Sequence, residues 1–374
     1  MGFLDEAVRH SINKPGEFDL YISSAPHIHI TTLYDVIKHI EPLDQTQFKC
    51  VTFFFRQENF DTVIGSKVDS VISTVFRANI QNGKYKVYVS SDKYFHTKWC
   101  AYAATSDSHA LTLFTSAILT TDHLKPWQYG DKSISNSVVT DRIERKFFVD
   151  CVLNPQHVKC SKVCVRINWD RDSKVFKPGY SGNSVNQPPN PNQGNSEQPL
   201  DIPQNMSSRK IYQKVVAFIN TVKSHMKNNP FGGHHSLYIV SPFIIIEKGP
   251  KEGDRSIIDA LYNVIEPTHS GAVSGSGVQA VLYAKVVHNH DTYYSSDVVK
   301  RSLKDVEMDQ SLAHKPFHCK FIAWVSAEDE VRILQTSANF TPQNMSMASE
   351  TRGDFSNLEW IVEHTVPKTK WEEI

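Results

Sequence analysis

A short motif that occurs twice is the feature that most constrains this chain. FHTK stands at residues 95–98 and FHCK at residues 317–320, and TSAI (115–118) and TSAN (336–339) follow at nearly the same spacing. One such match is weak evidence in a chain with 17 histidines. Two copies in the same order indicate an internal duplication, and the repeat is far too long for a solenoid. The sequence therefore predicts two similar domains.

The first half shows strand and helix patterns in alternation. KCVTFFF (49–55) and YKVYVSS (85–91) are typical of strands. Between them, six apolar residues recur at helical spacing: Ile64, Val68, Val71, Ile72, Val75 and Phe76.

The second half shows the same alternation. SLYIVSPFIII (236–246) and VQAVLYAKVV (278–287) are typical of strands, and SIIDALYNVI (256–265) is typical of a helix. An earlier helix is predicted by an apolar face formed by Ile211, Val215, Phe218, Ile219 and Val222. Alternation of this kind favours an α/β layered fold with a mainly parallel or mixed sheet.

The clearest boundary in the chain is the segment 178–207. It is rich in Pro, Asn, Gly, Ser and Gln and almost free of aliphatic side chains. Such a segment cannot bury enough apolar surface to offset the entropy lost on ordering. We therefore expect a first domain at 1–177, a flexible linker at 178–207 and a second domain at 208–374.

The repeated motif places a lysine two residues after a histidine. Residues two apart in a strand project from the same face, so we expect His96 to lie beside Lys98 and His318 beside Lys320. A neutral imidazole next to an ammonium group combines a nucleophile with a group that holds an anion. The motif therefore points to chemistry on an anionic substrate.

The end of the strand-like segment RILQTSAN (332–339) adds the Ser337 hydroxyl and the Asn339 amide as donors to the same anion. If the two halves face each other, both histidines act on one phosphate. One attacks phosphorus and forms a covalent phosphohistidine, while the other protonates the leaving oxygen and then activates water. The lysines and Asn339 stabilise charge on the non-bridging oxygens. We expect neither a metal nor another cofactor.

These residues resemble the paired HxK motifs, followed by Ser and Asn, of the phospholipase D superfamily. The usual motif has Asp five residues after the lysine, where this chain has Ala103 and Val325. The loss of both acids is similar to the tyrosyl-DNA phosphodiesterase branch. The resemblance implies two phospholipase D-like α/β domains, each a mixed sheet flanked by helices, with one active site at their pseudo-twofold interface. It also implies that His96 is the nucleophile.

Two positions bear on that resemblance. Under either alignment of TSAI with TSAN, Ala117 or Ile118 replaces the expected asparagine, and loss of such a donor typically costs about a hundred- to a thousandfold in rate. Gln128 or Asn136 is a candidate to supply the missing amide. Glu359 resembles the family's late acidic residue, which orients a catalytic histidine; the alternative is a solvent-facing glutamate on an edge strand.

Further substrate contacts are expected from Ser116 of TSAI, Gln128, the ring of Tyr94 and the cation of Arg56. Aromatic rings stack on exposed bases in single-strand binders. The leading hypothesis is a metal-independent phosphodiesterase that acts on single-stranded or end-modified DNA, as a monomer because both motifs are in one chain. Two alternatives remain open: a phospholipid or cyclic-nucleotide phosphodiesterase, and a phosphate- or nucleic-acid-binding protein weakened in turnover.

Composition limits the partners and the compartment. Forty basic and forty acidic residues cancel, so a nucleic-acid site must be a local patch. No apolar run nears the roughly 18 residues of a membrane span, and six cysteines form no dense disulfide framework. We expect an intracellular protein, cytoplasmic or nuclear, without a membrane partner. A zinc site at Cys151, His157, Cys160 and Cys164 stays open, although the spacing matches no standard pattern.

Overall fold

The fold consists of two compact units, and the boundary between them falls between Ile202 and Pro203. A computed structural model describes residues 17–24, 30–41, 48–67, 69–91, 95–104, 107–117, 137–144, 165–178, 203–228, 235–242, 278–284, 306–309, 318–326, 330–340 and 358–371. Each unit contains a mixed sheet and helices, which confirms the predicted α/β class.

The first unit is built around an eight-stranded sheet within the described residues. Its elements are β1 (Phe18–Ser24), α1 (Ile30–Ile40), β2 (Phe48–Arg56), α2 (Gln57–Phe60), a π-helical turn (Asp61–Gly65), α3 (Val71–Gln81), β3 (Tyr85–Ser90), β4 (Lys98–Ala104), β5 (His109–Thr115), β6 (Ser137–Glu144), β7 (Val165–Asp170) and β8 (Val175–Pro178). The strand order is β6-β5-β4-β1-β2-β3-β7-β8. Strands β1, β2 and β3 are parallel, and the other neighbours are antiparallel.

Strand β2 lies near the middle of this sheet and is buried on both faces. Phe53 belongs to the main apolar core, where its ring lies 5.0 Å from that of Phe76 in α3. Phe54 projects to the other face and packs against Trp99 and Tyr88 at 5.4 and 5.6 Å. A strand buried on both faces has a continuous apolar run, which is the pattern that predicted KCVTFFF as a strand.

The helix predicted across residues 64–76 is only partly right. Helix α3 begins after Ser70, whose hydroxyl caps the first turn. Phe76 is buried as expected, but Val71 is 67% exposed. Ile64 is buried in the separate π-helical turn, and Val68 lies outside the described residues. Because the chain is not one continuous helix across Ser70, a helical spacing counted from Ile64 predicts the wrong face for Val71.

The second unit contains a seven-stranded sheet within the described residues. Its elements are β9 (Gln204–Ser207), α4 (Ser208–Asn228), β10 (His235–Ser241), β11 (Val278–Ala284), β12 (Val306–Asp309), β13 (Phe321–Val325), β14 (Glu330–Thr336), β15 (Leu358–Pro367) and α5 (Lys368–Trp371). The strand order is β12-β11-β10-β13-β14-β15-β9. Strands β10, β11 and β12 are parallel, and the other neighbours are antiparallel.

Helix α4 confirms the apolar face predicted for the start of this unit. Its 21 residues bury one stripe of side chains: Ile211, Val215, Phe218, Ile219 and Val222. In the ranges that the structure describes, no helix is both long and apolar enough to cross a membrane.

The two sheets share one topology over six strands of the described chain, with β1 to β6 matching β10 to β15. The registers agree as well, since Leu20 lies opposite Tyr102 and Leu237 lies opposite Trp324. The duplication is therefore structural. The strands predicted in the two halves do not match in the order in which they occur: KCVTFFF lies within β2, which corresponds to β11, whereas SLYIVS lies within β10, which corresponds to β1. Strands β1, β5, β6, β7, β8 and β12 were not predicted.

The predicted linker is too long at its C-terminal end. Residues 204–207 form β9, which pairs with β15 and belongs to the second sheet. Polar residues such as QNMS can form an edge strand because the backbone supplies its hydrogen bonds, and composition does not detect this. The rest of the linker between β8 and Ile202 lies outside the described residues, as do SIIDALYNVI (256–265) and the cysteine cluster at 151–164.

Candidate active site

The first motif forms a compact histidine–lysine pair at the start of β4. Lys98 is the first residue of the strand and is 1% exposed, and His96 lies just before it. The Lys98 Nζ atom donates to the His96 carbonyl oxygen at 2.9 Å and lies 2.9 Å from Nδ1 and 3.2 Å from Nε2 of the His96 ring. The structure therefore brings the two side chains together as predicted.

The second motif has the same arrangement. Lys320 is 0% exposed and immediately precedes β13. Its Nζ atom donates to the His318 carbonyl oxygen at 2.6 Å and lies 2.7 Å from the His318 Nδ1 atom. In each unit the lysine thus contacts both the backbone and the ring of the histidine two residues earlier.

A buried lysine in this position restricts the protonation state of the histidine. An ammonium group has three N–H donors and no acceptor, so only a ring nitrogen without a proton can accept from it. In His96 both ring nitrogens lie within hydrogen-bond distance, and the tautomer decides which of them accepts. A neutral imidazole in this place has one lone pair held beside a positive charge. A buried charge is costly unless it is paired or hydrogen-bonded, and these contacts offset part of that cost. A substrate anion would replace the ring as the partner of the ammonium group.

The TSA segments have the same local structure in both units. At the end of β5 the Ala117 N–H donates to the Thr115 hydroxyl at 3.0 Å, and at the end of β14 the Ala338 N–H donates to the Thr336 hydroxyl at 3.1 Å. This common turn fixes the alignment that the sequence left open. Ile118, which itself lies outside the described residues, therefore corresponds to the asparagine of the second half.

Ser337 and Glu359 form a hydrogen-bonded pair in the interior of the second unit. The Ser337 hydroxyl donates to Glu359 Oε2 at 2.5 Å and accepts from the Trp360 N–H at 3.0 Å. Both residues are 0% exposed, and β15 lies between β14 and β9. The alternative of a solvent-facing glutamate on an edge strand is therefore wrong. The role proposed for Glu359, orienting a catalytic histidine, stays a prediction.

Asn339 lies directly after the turn, and the next residue, Phe340, is hydrogen-bonded to β10. The Phe340 N–H donates to the Ser241 hydroxyl at the end of β10, at 3.2 Å. The Asn339 Oδ1 atom is buried and has no hydrogen-bond partner within the described part of the chain. Rotation of the amide group by 180° exchanges its oxygen and its NH2 group, so either end can face a ligand. Asn339 therefore has the capacity expected of a substrate contact.

The predicted substrate contacts have different outcomes. Ser116 is 0% exposed at the equivalent position to Ser337. Arg56 lies at the end of β2, where its Nη2 atom is 3.3 Å from Glu58 Oε2, so part of its charge is already balanced. Tyr94 and Gln128 lie outside the described residues.

Sequence reasoning missed the serines at the ends of β1 and β10. The Ser23 hydroxyl lies 2.6 Å from the Thr97 hydroxyl in the first unit, and Ser241 supports the Asn339 turn in the second. The similar strings DLYISS (19–24) and SLYIVS (236–241) were the signal that could have revealed them.

Among the residues that the structure describes, no cluster of three or more His, Cys, Asp or Glu side chains could hold a metal ion.

Comparison with known proteins supports the fold. No family model and no curated protein matches the sequence. Two solved structures have a TM-score of 0.52 at 10% identity and cover 99% of this chain: polyphosphate kinase from Porphyromonas gingivalis and phosphatidylserine synthase from Haemophilus influenzae. The alignment covers 43% of the first and 81% of the second.

The yeast tyrosyl-DNA phosphodiesterase is also similar, with a TM-score of 0.48 at 11% identity over 94% of this chain and 83% of that one. The two likenesses with a TM-score of 0.52 agree with the duplicated mixed sheets and show that this chain has the duplicated fold of those two proteins, the phospholipase D fold.

Proposed function

We propose that this chain is a phosphoryl-transfer enzyme, and more specifically a phosphodiesterase that acts on nucleic acid through a covalent phosphohistidine. The observation that carries the proposal is the duplicated histidine–lysine pair, in which a fully buried ammonium group lies within hydrogen-bond distance of each imidazole. Fully buried lysines are rare unless paired, so two at equivalent positions favour a functional site over chance packing.

The first chemical step uses both histidines in different roles. A lone pair of neutral His96 attacks phosphorus, a nitrogen–phosphorus bond forms, and the bond from phosphorus to the leaving oxygen breaks. The leaving oxygen takes a proton from His318, which must be in its imidazolium form for this step. An imidazolium ring cannot accept from Lys320. The lysine then donates to a non-bridging phosphate oxygen instead, where its charge stabilises the transition state.

The second step reverses the role of His318. The His318 ring is now neutral, and it can accept from Lys320, whose Nζ atom lies 2.7 Å from Nδ1. It takes a proton from water while the water oxygen attacks phosphorus and the bond to His96 breaks. The enzyme returns to its starting state, and the product carries a free phosphate. Two lysines supply positive charge in both steps, so we expect turnover without a divalent cation.

The preference for nucleic acid rests on the motif resemblance and on the expected aromatic and basic contacts. The fold alone also accommodates phospholipid substrates, because phosphatidylserine synthase has a similar structure. Transfer to an alcohol would use the same intermediate, with the alcohol in place of water. The substrate class must therefore be tested directly.

The test is a substrate panel with purified protein in EDTA. The panel contains a 3′-tyrosyl oligonucleotide, unmodified single-stranded DNA and RNA, a cyclic nucleotide and phosphatidylcholine vesicles. We expect release of tyrosine or cleavage of a single strand, abolished in His96→Ala. Activity that requires added magnesium would contradict the mechanism, and activity on vesicles alone would replace nucleic acid by lipid as the substrate.

A further inference from the structure

The residue between the histidine and the lysine differs between the two motifs. It is Thr97 in the first and Cys319 in the second, and both are buried. The Thr97 hydroxyl lies 2.6 Å from the Ser23 hydroxyl, which also lies 3.3 Å from the Thr97 carbonyl oxygen. The first motif is therefore tied to the end of β1 by a hydrogen bond between buried side chains.

The equivalent contact in the second unit is apolar. Ser23 lies opposite Trp99, which follows Lys98, and Val240 lies opposite Phe321, which follows Lys320. Val240 is therefore the counterpart of Ser23.

Val240 and Cys319 pack together in a small apolar cluster. Burial raises the pKa of the Cys319 thiol to about 12, so the thiol is neutral in this contact. Both members of the polar pair are therefore different in the second unit, where Val240 stands in place of Ser23 and Cys319 in place of Thr97.

The two kinds of contact restrain the motifs differently. His96 and Thr97 precede β4, and the ladder between β1 and β4 ends at the Ser24–Lys98 pair. A hydrogen bond fixes both distance and angle. Apolar packing is non-directional and tolerates small shifts. The hydroxyl pair therefore restrains the backbone next to His96 more closely than the Val240–Cys319 contact restrains that of His318.

We propose that Ser23 and Thr97 form a positioning pair that holds His96 for attack on phosphorus, and that the Val240–Cys319 contact leaves His318 free to serve two different oxygen atoms. The inference rests on the proposed function. In that function His96 must keep one attack geometry, whereas His318 gives a proton to the leaving oxygen and later takes one from water. Misplacement of a reacting group by about 1 Å can cost about a hundredfold in rate, so a positioning pair has a measurable effect.

The test is single-turnover cleavage of a 3′-tyrosyl oligonucleotide by full-length variants, with adduct formation and adduct hydrolysis measured separately. Thr97→Val removes the hydroxyl and keeps the shape, and Thr97→Ser keeps the hydroxyl. Thr112→Val is the matched control. It makes the same substitution at a residue with 0% exposure, whose hydroxyl donates to the Ala110 carbonyl oxygen at 3.3 Å in β5.

We expect Thr97→Val to slow adduct formation about ten- to a hundredfold, with adduct hydrolysis and KM unchanged. Thr97→Ser should restore most of the rate, and Thr112→Val should lose stability without losing rate. If Thr97→Val does not fold, Ser23→Ala tests the same hydrogen bond from the β1 side. An unchanged rate of adduct formation, or equal slowing of both steps, overturns the positioning role and leaves the proposed function intact. Absence of any adduct in the wild-type protein overturns the proposed function itself.

Discussion

Replacement of Ser337 by alanine gives the most quantitative test of the candidate site. The change removes a donor from the buried carboxylate of Glu359 and an acceptor from the Trp360 N–H. A hydrogen bond to a charged group contributes about 1.5–3 kcal/mol, and a buried N–H left without an acceptor costs about 1–3 kcal/mol. We therefore expect Ser337→Ala to lower the free energy of unfolding of the second unit by about 3–5 kcal/mol.

A double-mutant cycle isolates the contribution of the pair. Glu359→Gln keeps an acceptor for the Ser337 hydroxyl but removes the charge, so we expect a smaller loss of about 1 kcal/mol. The double variant should lose less than the sum of the single losses, with a coupling energy of about 0.5–3 kcal/mol. Ser326→Ala is the control. It removes a buried serine of the same unit that donates to a neutral carbonyl oxygen of Glu330 at 3.1 Å, and about 1 kcal/mol is expected.

The assay is thermal unfolding of the full-length variants, followed by circular dichroism. For a domain of 150–250 residues, 1 kcal/mol shifts Tm by about 2–4 °C, so Ser337→Ala should lower the transition of the second unit by at least about 6 °C. Additive single losses, within about 0.5 kcal/mol, would refute the reasoning, because residues in direct contact must couple.

Three further predictions concern other regions. Burial lowers the pKa of His364. Below about pH 6.5 the unfolded chain therefore binds a proton that the folded state does not, and the free energy of unfolding should fall as the pH drops. In denaturant unfolding at pH 5 and pH 8, His364→Gln should show a smaller difference between the two pH values than the wild-type protein. Burial raises the pKa of Cys100 and Cys319 to about 12; a thiol reagent at pH 8 should label neither until the protein is unfolded, as read by peptide mass spectrometry. Deletion of residues 183–200 should preserve folding and activity, since loop-length changes cost only about 0.6 kcal/mol per doubling; loss of the folded state would show that the segment is packed.

The sequence contained enough information for the duplication, the α/β class and the two histidine–lysine pairs. Each of these depends on a short local pattern. In the HxK motif, for example, the lysine side chain reaches the histidine two residues earlier. The apolar face of α4 is local in the same sense, because residues three and four apart share one side of a helix.

Other features depend on partners distant in sequence. Strand β1 was missed because FDLYISS contains Asp19 and two serines. The burial of its seven residues follows from the place of the strand inside the sheet, between β2 and β4, and from packing against the core. The burial of Glu359 follows from the place of β15 between β14 and β9, which no local pattern reveals. The Ser23–Thr97 bond joins residues 74 positions apart. Such features can be predicted only when the order of the strands in the sheet is known, because that order decides which side chains are buried and which of them are in contact.

The measurement that tests the central claim most directly is the trapping of the covalent intermediate in His318→Asn. The asparagine cannot activate water, so the adduct on His96 should form slowly and accumulate. Incubation with a 3′-tyrosyl oligonucleotide in EDTA, followed by a denaturing gel and mass spectrometry, should give an acid-labile adduct on the peptide that contains His96, absent in His96→Ala. An adduct that persists in His96→Ala and vanishes in His318→Ala would reverse the two roles, and no adduct in any variant would contradict the covalent mechanism.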